Sequence, residues 1–237
     1  MAFDPNLLQP SDSVVLDLGY GRIPITTSEW FHRLQKRYPH IRMIGVERDA
    51  ERVQAAESMA QEGLCFRLGD FQLPLQTGER VRLLRALNVL RQYEEGQAAQ
   101  AHAQLIAQMD PGGLLVEGTC DPPGRTMVVS LLRCNQGDVK SEGVLFATSF
   151  NQPFEPRAFQ AVLPKHLIHQ VVQGHPIYEF FEAWDRSAKI SRGHAQFGNR
   201  QHFVAAAEEL ATRVDGLVLR RSWLRNGWLV WTGAPYS

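Results

Sequence analysis

Ser13 to Pro24 reads SVVLDLGYGRIP, and the reading of this stretch decides the fold. Val14, Val15, Leu16 and Leu18 make a short apolar run with β-branched residues, bounded by polar residues before it and by Gly19 and Gly21 after it. Such a run predicts a buried strand that ends in a tight turn. The two glycines lack a Cβ, so the backbone there can take unusual dihedrals and let a ligand come close. Pro24 suits the first turn of a following helix, where its missing amide costs nothing. Strand, glycine turn and helix start together predict the ligand-binding edge of a parallel α/β sheet, with free amides and a helix N-terminus facing the crevice.

Working outward, Trp30, Phe31 and Leu34 fall close to one helical face. A helix is expected over about 26–37, with Thr26 or Thr27 as its cap. Arg42–Glu47 is a second apolar run with its acid at the end, followed by a charged helix from about Asp49 to Glu62. Further strands are expected at Leu64–Leu68, Val81–Leu87 and Gly113–Gly118, with an alanine-rich helix over Gly96–Met109. Strands alternating with helices of this length predict a parallel sheet covered by helices on both faces. Past Asp121 the rhythm changes. Met127–Arg133 and Val144–Phe150 read as a hairpin around Asn135-Gln136-Gly137-Asp138, residues 155–212 as mostly helical, and Leu217–Leu224 and Trp228–Trp231 as a hairpin around Arg225-Asn226-Gly227. Residues 1–12 read as a polar, proline-punctuated lead-in.

The chain has 237 residues, 44% of them hydrophobic, enough for one large domain with an insertion. Lys plus Arg and Asp plus Glu number 25 each, so the overall balance calls for neither nucleic acid nor a membrane surface. The start, MAFDPNLLQP, has no basic region followed by an apolar run, and no segment reaches the roughly 18 apolar residues of a membrane span. A cytoplasmic protein without membrane association is expected. Cys65, Cys120 and Cys134 are odd in number and far apart, which predicts reduced and mostly buried thiols and no metal site.

Asp17-x-Gly19-x-Gly21 resembles motif I of the class I S-adenosylmethionine-dependent methyltransferases. A dinucleotide-binding fingerprint would instead place glycine at position 24 and ask for no acid at position 17. Three further elements stand in the order this family has them. Glu47 ends the second strand, where a carboxylate accepts from a ribose diol in both cofactor classes. Gly69-Asp70-Phe71 follows the third strand, where the family carries an acid for the adenine amino group beside an apolar residue for the ring. Arg85-Ala86-Leu87-Asn88-Val89-Leu90-Arg91-Gln92-Tyr93 resembles the segment that follows the fourth strand in these enzymes. The resemblance covers about 13–120. It implies S-adenosylmethionine as cofactor and a Rossmann-like three-layer α/β/α fold with a mostly parallel, seven-stranded sheet. Asp17, Gly19 and Gly21 would line the aminoacyl end. Glu47 would hold the ribose hydroxyls, Asp70 and Phe71 the adenine, and Asn88 would stand near the sulfonium, with Tyr20, Arg48 and Gly69 also at the cofactor. Pro24 departs from the pattern, since many members have a third glycine there.

One domain over 1–237 is therefore expected. It would hold a cofactor-binding core at 13–120, an inserted hairpin and helical cap at 121–212, and a C-terminal hairpin at 213–237 that completes the sheet. Candidates for the substrate side are Asn88, Asp121, Arg125, His166 and His169. Asp121-Pro122-Pro123 is similar to the motif of amino-group methyltransferases but follows the wrong strand and lacks its aromatic residue. His166 and His169 are three apart, and imidazole is the side chain suited to proton transfer near neutral pH; no third metal ligand accompanies them. A small-molecule acceptor is preferred over protein or RNA. A nicotinamide-linked oxidoreductase and a non-catalytic cofactor-binding module are the rival readings.

Overall fold

The computed structural model describes residues 7–8, 13–135 and 138–234. The expected hairpin turn at Gln136 and Gly137 and most of the 1–12 lead-in lie outside the described residues. The chain divides into two compact units, Met1–Val116 with Leu132–Lys140 and Glu117–Leu131 with Ser141–Ser237.

The first unit alternates strand and helix: β1 (Ser13–Leu18), α1 (Ile25–Gln35), β2 (Arg42–Glu47), α2 (Ala50–Ala56), β3 (Leu64–Leu68), β4 (Arg80–Leu87) and α3 (Glu95–Ala107). β1 runs parallel to β2 and β4, and β2 parallel to β3. All six residues of β1 are buried, the condition under which a parallel strand reads as a continuous apolar run. The order β3-β2-β1-β4 with intervening helices is a Rossmann-like α/β arrangement, whose ligands bind at the carboxyl ends of the strands. The register sets Asp17 beside Arg85 of β4 and Glu47 beside Leu68 of β3.

Two local expectations change. α1 begins at Ile25 with Pro24 at its cap position and no side-chain cap, because Thr27 turns its hydroxyl to Asp17 instead. α2 stops at Ala56 and gives way to a single 3-10 turn, Glu57–Met59. Only Ala56 of α2 is buried, so no apolar face sustains a longer helix.

Strands β5 (Met109–Cys120), β6 (Thr126–Asn135) and β7 (Asp138–Thr148) each contribute residues to both units. The second unit continues with α4 (Lys165–Ile168), α5 (Pro176–Ile190), α6 (Asn199–Leu210), β8 (Leu217–Val218), α7 (Arg221–Arg225) and β9 (Trp228–Trp231). The sheet holds nine strands among the described residues, in the order β3-β2-β1-β4-β5-β6-β7-β9-β8, where seven were expected. The difference is the inserted hairpin: β6 and β7, expected as part of a cap, stand in the sheet itself between β5 and β9, and β9 pairs antiparallel with both β7 and β8.

The hairpin expected at Asn226-Gly227 is replaced by a helix end. Residues 221–225 are helical, Asn226 has φ −88°, and the amide of Gly227 donates to the Leu224 carbonyl at 3.0 Å. A two-residue type I′ turn would need positive φ at both residues, and only Gly227, at 79°, has it. Gly227 therefore acts as the left-handed residue that terminates α7. Of residues 217–224, expected as one strand, only Leu217–Val218 is strand, while 221–224 join that helix and bury Trp223 and Leu224.

α5 buries Ile177, Phe180, Phe181, Trp184, Ser187 and Ala188, a helical spacing that makes one face of the second unit's core. Phe146 of β7 stacks on Phe180 at 5.0 Å, and Phe180 on Trp231 of β9 at 4.3 Å. The aromatic cluster thus packs as core.

Gly227→Ala should destabilise the protein by about 2 kcal/mol or more, because the residue is held left-handed and an added Cβ would stand 2.0 Å from the Thr148 carbonyl oxygen. Thermal denaturation of the variant checks this, and an unchanged midpoint would show that the turn relaxes freely.

Candidate functional site

The chemistry-bearing ends of β1 to β4 meet in the first unit. Gly19 and Gly21 have φ 71° and 80°, so the chain turns sharply there as only glycine does without strain. The Gly19 amide donates to the Val46 carbonyl at 2.7 Å, and a Cβ at Gly19 would stand 2.7 Å from a Val89 methyl. The turn is thus pinned against β2 on one side and against the segment after β4 on the other.

Glu47 is 5% exposed. Its Oε2 accepts from the Gly21 amide and its Oε1 from the Arg48 amide, both at 3.0 Å, and Arg52 Nη1 lies 3.8 Å from Oε1. Burial of a carboxylate is costly, and these amides and the nearby guanidinium offset that cost. Asp49 caps α2 through the amides of Glu51 and Arg52, which brings Arg52 back over the end of β2. Tyr20 packs edge-on against Phe66 at 5.3 Å. Burial, and then the charge of Glu47, push its phenol up to about 12, so it stays protonated.

After β3, Asp70 is exposed and its Oδ1 accepts from the Phe71 amide at 2.9 Å. After β4, Asn88 holds φ 62°, a left-handed conformation that is uncommon outside glycine and found at functional turns. Its carbonyl accepts from Gln92 Nε2 at 2.8 Å. Tyr93 packs edge-on to Phe71 at 5.1 Å, and its hydroxyl accepts from Arg48 Nη1 at 3.2 Å.

These ends enclose a cavity of about 360 Å³, within the range of small-ligand sites. Of the residues expected at a cofactor, Gly19, Tyr20, Gly21, Glu47, Arg48, Gly69, Asp70 and Asn88 line it. Phe71 does not, but touches Tyr93, which does. Asp17 does not either. It is 3% exposed and its carboxylate is taken by Arg85 and Thr27. Arg52, Gln92 and Tyr93 line the cavity without having been expected there. Gln92 and Tyr93 stand within the segment that followed the fourth strand in sequence, so their place was open to inference; Arg52 arrives only through the cap of α2.

The other candidates belong to the second unit. Asp121 accepts from the amides of Arg125 and Thr126 at 2.6 and 2.8 Å, so its carboxylate builds the turn between β5 and β6, and Arg125 is exposed on that turn. His166 lies in the single turn of α4, and His169 follows as its exposed C-cap. His166 Nε2 is 3.1 Å from the Ser130 hydroxyl, and Nδ1 is 3.7 Å from Glu117 Oε2. Glu117 was not anticipated, because a lone acid inside an apolar run carries no pattern. It is 1% exposed, and burial pushes its carboxyl up to about 8. No group of three or more metal-ligating side chains stands together among the described residues, and the three cysteines are free thiols. Among those residues no helix is long and apolar enough to cross a membrane.

No protein-family profile matches the sequence, and no curated protein is significantly similar to it. Solved structures that resemble part of the chain include LepI in complex with S-adenosylmethionine, at 21% identity and a TM-score of 0.37 over 47% of this chain and 28% of that one. An O-methyltransferase family 2 protein from Planctomyces limnophilus, in complex with apigenin, matches at 22% identity and 0.36 over 45% and 31%. The N-methyltransferase NodS from Bradyrhizobium japonicum, in complex with S-adenosylhomocysteine, matches at 19% and 0.35 over 48% and 56%. The matched part spans less than two thirds of each neighbour.

The Glu117 carboxyl gives a pH signature. Its pKa is raised in the folded protein, so the folded state holds the proton more tightly than the unfolded state between the ordinary value of 4.5 and about 8. Its contribution is fully present below 4.5 and is lost as pH rises through 8, at roughly 1.4 kcal/mol per pH unit in that window. Glu117→Gln, which mimics the protonated acid, should be relatively more stable at pH 8 than at pH 5 when compared with the parent. Parallel stability-against-pH curves for the two proteins would contradict this.

Proposed function

We propose that the protein is an S-adenosylmethionine-dependent methyltransferase acting on a small-molecule acceptor. The observation that carries this reading is the meeting of the Gly19–Gly21 turn with the buried Glu47 carboxylate on one cavity at the strand ends. The residues fit the cofactor. A carboxylate offers about four lone-pair directions, and the Gly21 and Arg48 amides occupy two, which leaves acceptors for a ribose diol. Asp70, exposed on the cavity wall, would accept from the adenine amino group, with Phe71 and Tyr93 beside it. Asn88 would border the sulfonium region.

S-adenosylmethionine, when bound, supplies a methyl group on a sulfonium that is already activated toward in-line displacement. The work left to the chain is to hold the reactants in line and to keep water out. A general base is needed only for an acceptor that carries a proton near neutral pH. Of the candidates for that role, Asp121 is committed to its turn. A nicotinamide-linked oxidoreductase would use the same Glu47, but Pro24 stands where that fingerprint needs glycine.

Titration calorimetry with S-adenosylmethionine, S-adenosylhomocysteine and NAD in parallel tests the reading. Micromolar binding of the first two and none of the third is expected, and the reverse pattern would replace methyl transfer with hydride transfer. Glu47→Ala should weaken S-adenosylhomocysteine binding at least tenfold, through the loss of one or two hydrogen bonds to a charged acceptor worth about 1.5 to 3 kcal/mol each. An unchanged dissociation constant would remove Glu47 from the ribose.

A further inference from the structure

The acid of the glycine motif is turned away from the cavity that the rest of the motif lines. Asp17 and Arg85 are register partners in the parallel β1–β4 ladder. Arg85 Nε donates to Oδ1 at 2.8 Å and Nη2 to Oδ2 at 2.6 Å, a two-pronged match of guanidinium to carboxylate. The Thr27 hydroxyl of α1 adds a third donor, to Oδ2, at 2.6 Å. The guanidinium also lies 4.2 Å from the centre of the Trp30 ring of α1. One clamp therefore joins β1, β4 and α1. It sits two residues before Gly19 and three before Asn88, both of which line the cavity.

We propose that Arg85 is a positioning residue, which through Asp17 sets the angle of the glycine turn, and that Asp17 makes no direct contact with the amino-acid tail of the adenosyl ligand. This rests on the reading of the cavity as an S-adenosyl site. The charge count supports it. Asp17 already faces a guanidinium at full hydrogen-bonding contact, and an α-ammonium brought to the same carboxylate would add a second cation beside the first. A ligand amino group is better served elsewhere. Recognition of the ligand then depends on the shape of the turn and on the adenosine end. The consequence is a site in which Asp17 does not discriminate S-adenosylhomocysteine from methylthioadenosine, the same nucleoside without the tail.

The test measures the affinity of both compounds for the parent protein, Asp17→Asn, Arg85→Gln and the double variant, alongside thermal midpoints. Each single variant leaves one partner of the pair uncompensated, the buried Asp17 or the partly buried Arg85, and should weaken both ligands together, by about tenfold. The double variant removes both charges and should return both affinities to within about threefold of the parent. Asp17→Asn that weakens S-adenosylhomocysteine alone, with methylthioadenosine unchanged, would place Asp17 on the tail and overturn the proposal. So would single variants that lower the midpoint without moving either affinity, since the pair would then be structural only. A parent protein that binds neither compound would overturn the adenosyl reading and the proposal with it.

Discussion

A carboxylate buried at the end of a central strand has to be met by donors, and at Glu47 those donors are the amides of the glycine turn and of the next residue. That single requirement organises the first unit. The Gly21 amide can reach Oε2 only if β1 ends where it does and the chain reverses at Gly19, and the turn can sit against the segment after β4 only because Gly19 lacks a Cβ where Val89 passes. The carboxylate in turn keeps acceptor capacity on the cavity side, so the interaction that stabilises the turn also presents a polar group to the cavity.

Asp17 and Glu47 are both buried acids beside the same turn, yet the structure uses them in opposite ways. Glu47 is partnered mainly by backbone amides, which fill half of its acceptor positions and leave the rest to the cavity. Asp17 is partnered by side chains, a guanidinium and a hydroxyl, and is closed off from the cavity. The first arrangement suits ligand contact and the second suits fixing strands and helix to one another. A motif that places an acid two residues before a glycine does not distinguish the two cases.

The second unit is held by a different means. Its core is aromatic, with Phe146, Phe180, Trp184 and Trp231 in stacked and edge-on contact. Within that unit Glu117, His166 and Ser130 form a polar group that burial makes sensitive to protonation. An acid with its pKa raised to about 8 is mostly neutral at physiological pH, which lets it sit in an apolar strand without a full counter-charge.

Much of the first unit was open to the sequence because its signals are local. A parallel strand covered on both faces reads as a nearly continuous apolar run, so the apolar stretches of SVVLDL and RMIGVE announce β1 and β2, and Leu64–Leu68 is β3 with the expected bounds. Glycines, Glu47 and Asp70 fall at strand ends, where such sheets bind ligands, and the structure gathers them on one cavity. What the tertiary structure alone decided is everything that depends on register and side-chain direction. Arg85 becomes the partner of Asp17 only when β4 lies beside β1 in one particular alignment. Asn226-Gly227 ends a helix because residues 221–225 bury Trp223 and Leu224 there, and that burial outweighs the turn preference of the dipeptide. Glu117 meets His166 across a separation of 49 residues that no short pattern spans. Local sequence dictates which residues make a strand or a turn; long-range packing dictates which charges face each other, because that choice is made between segments that are neighbours only in space.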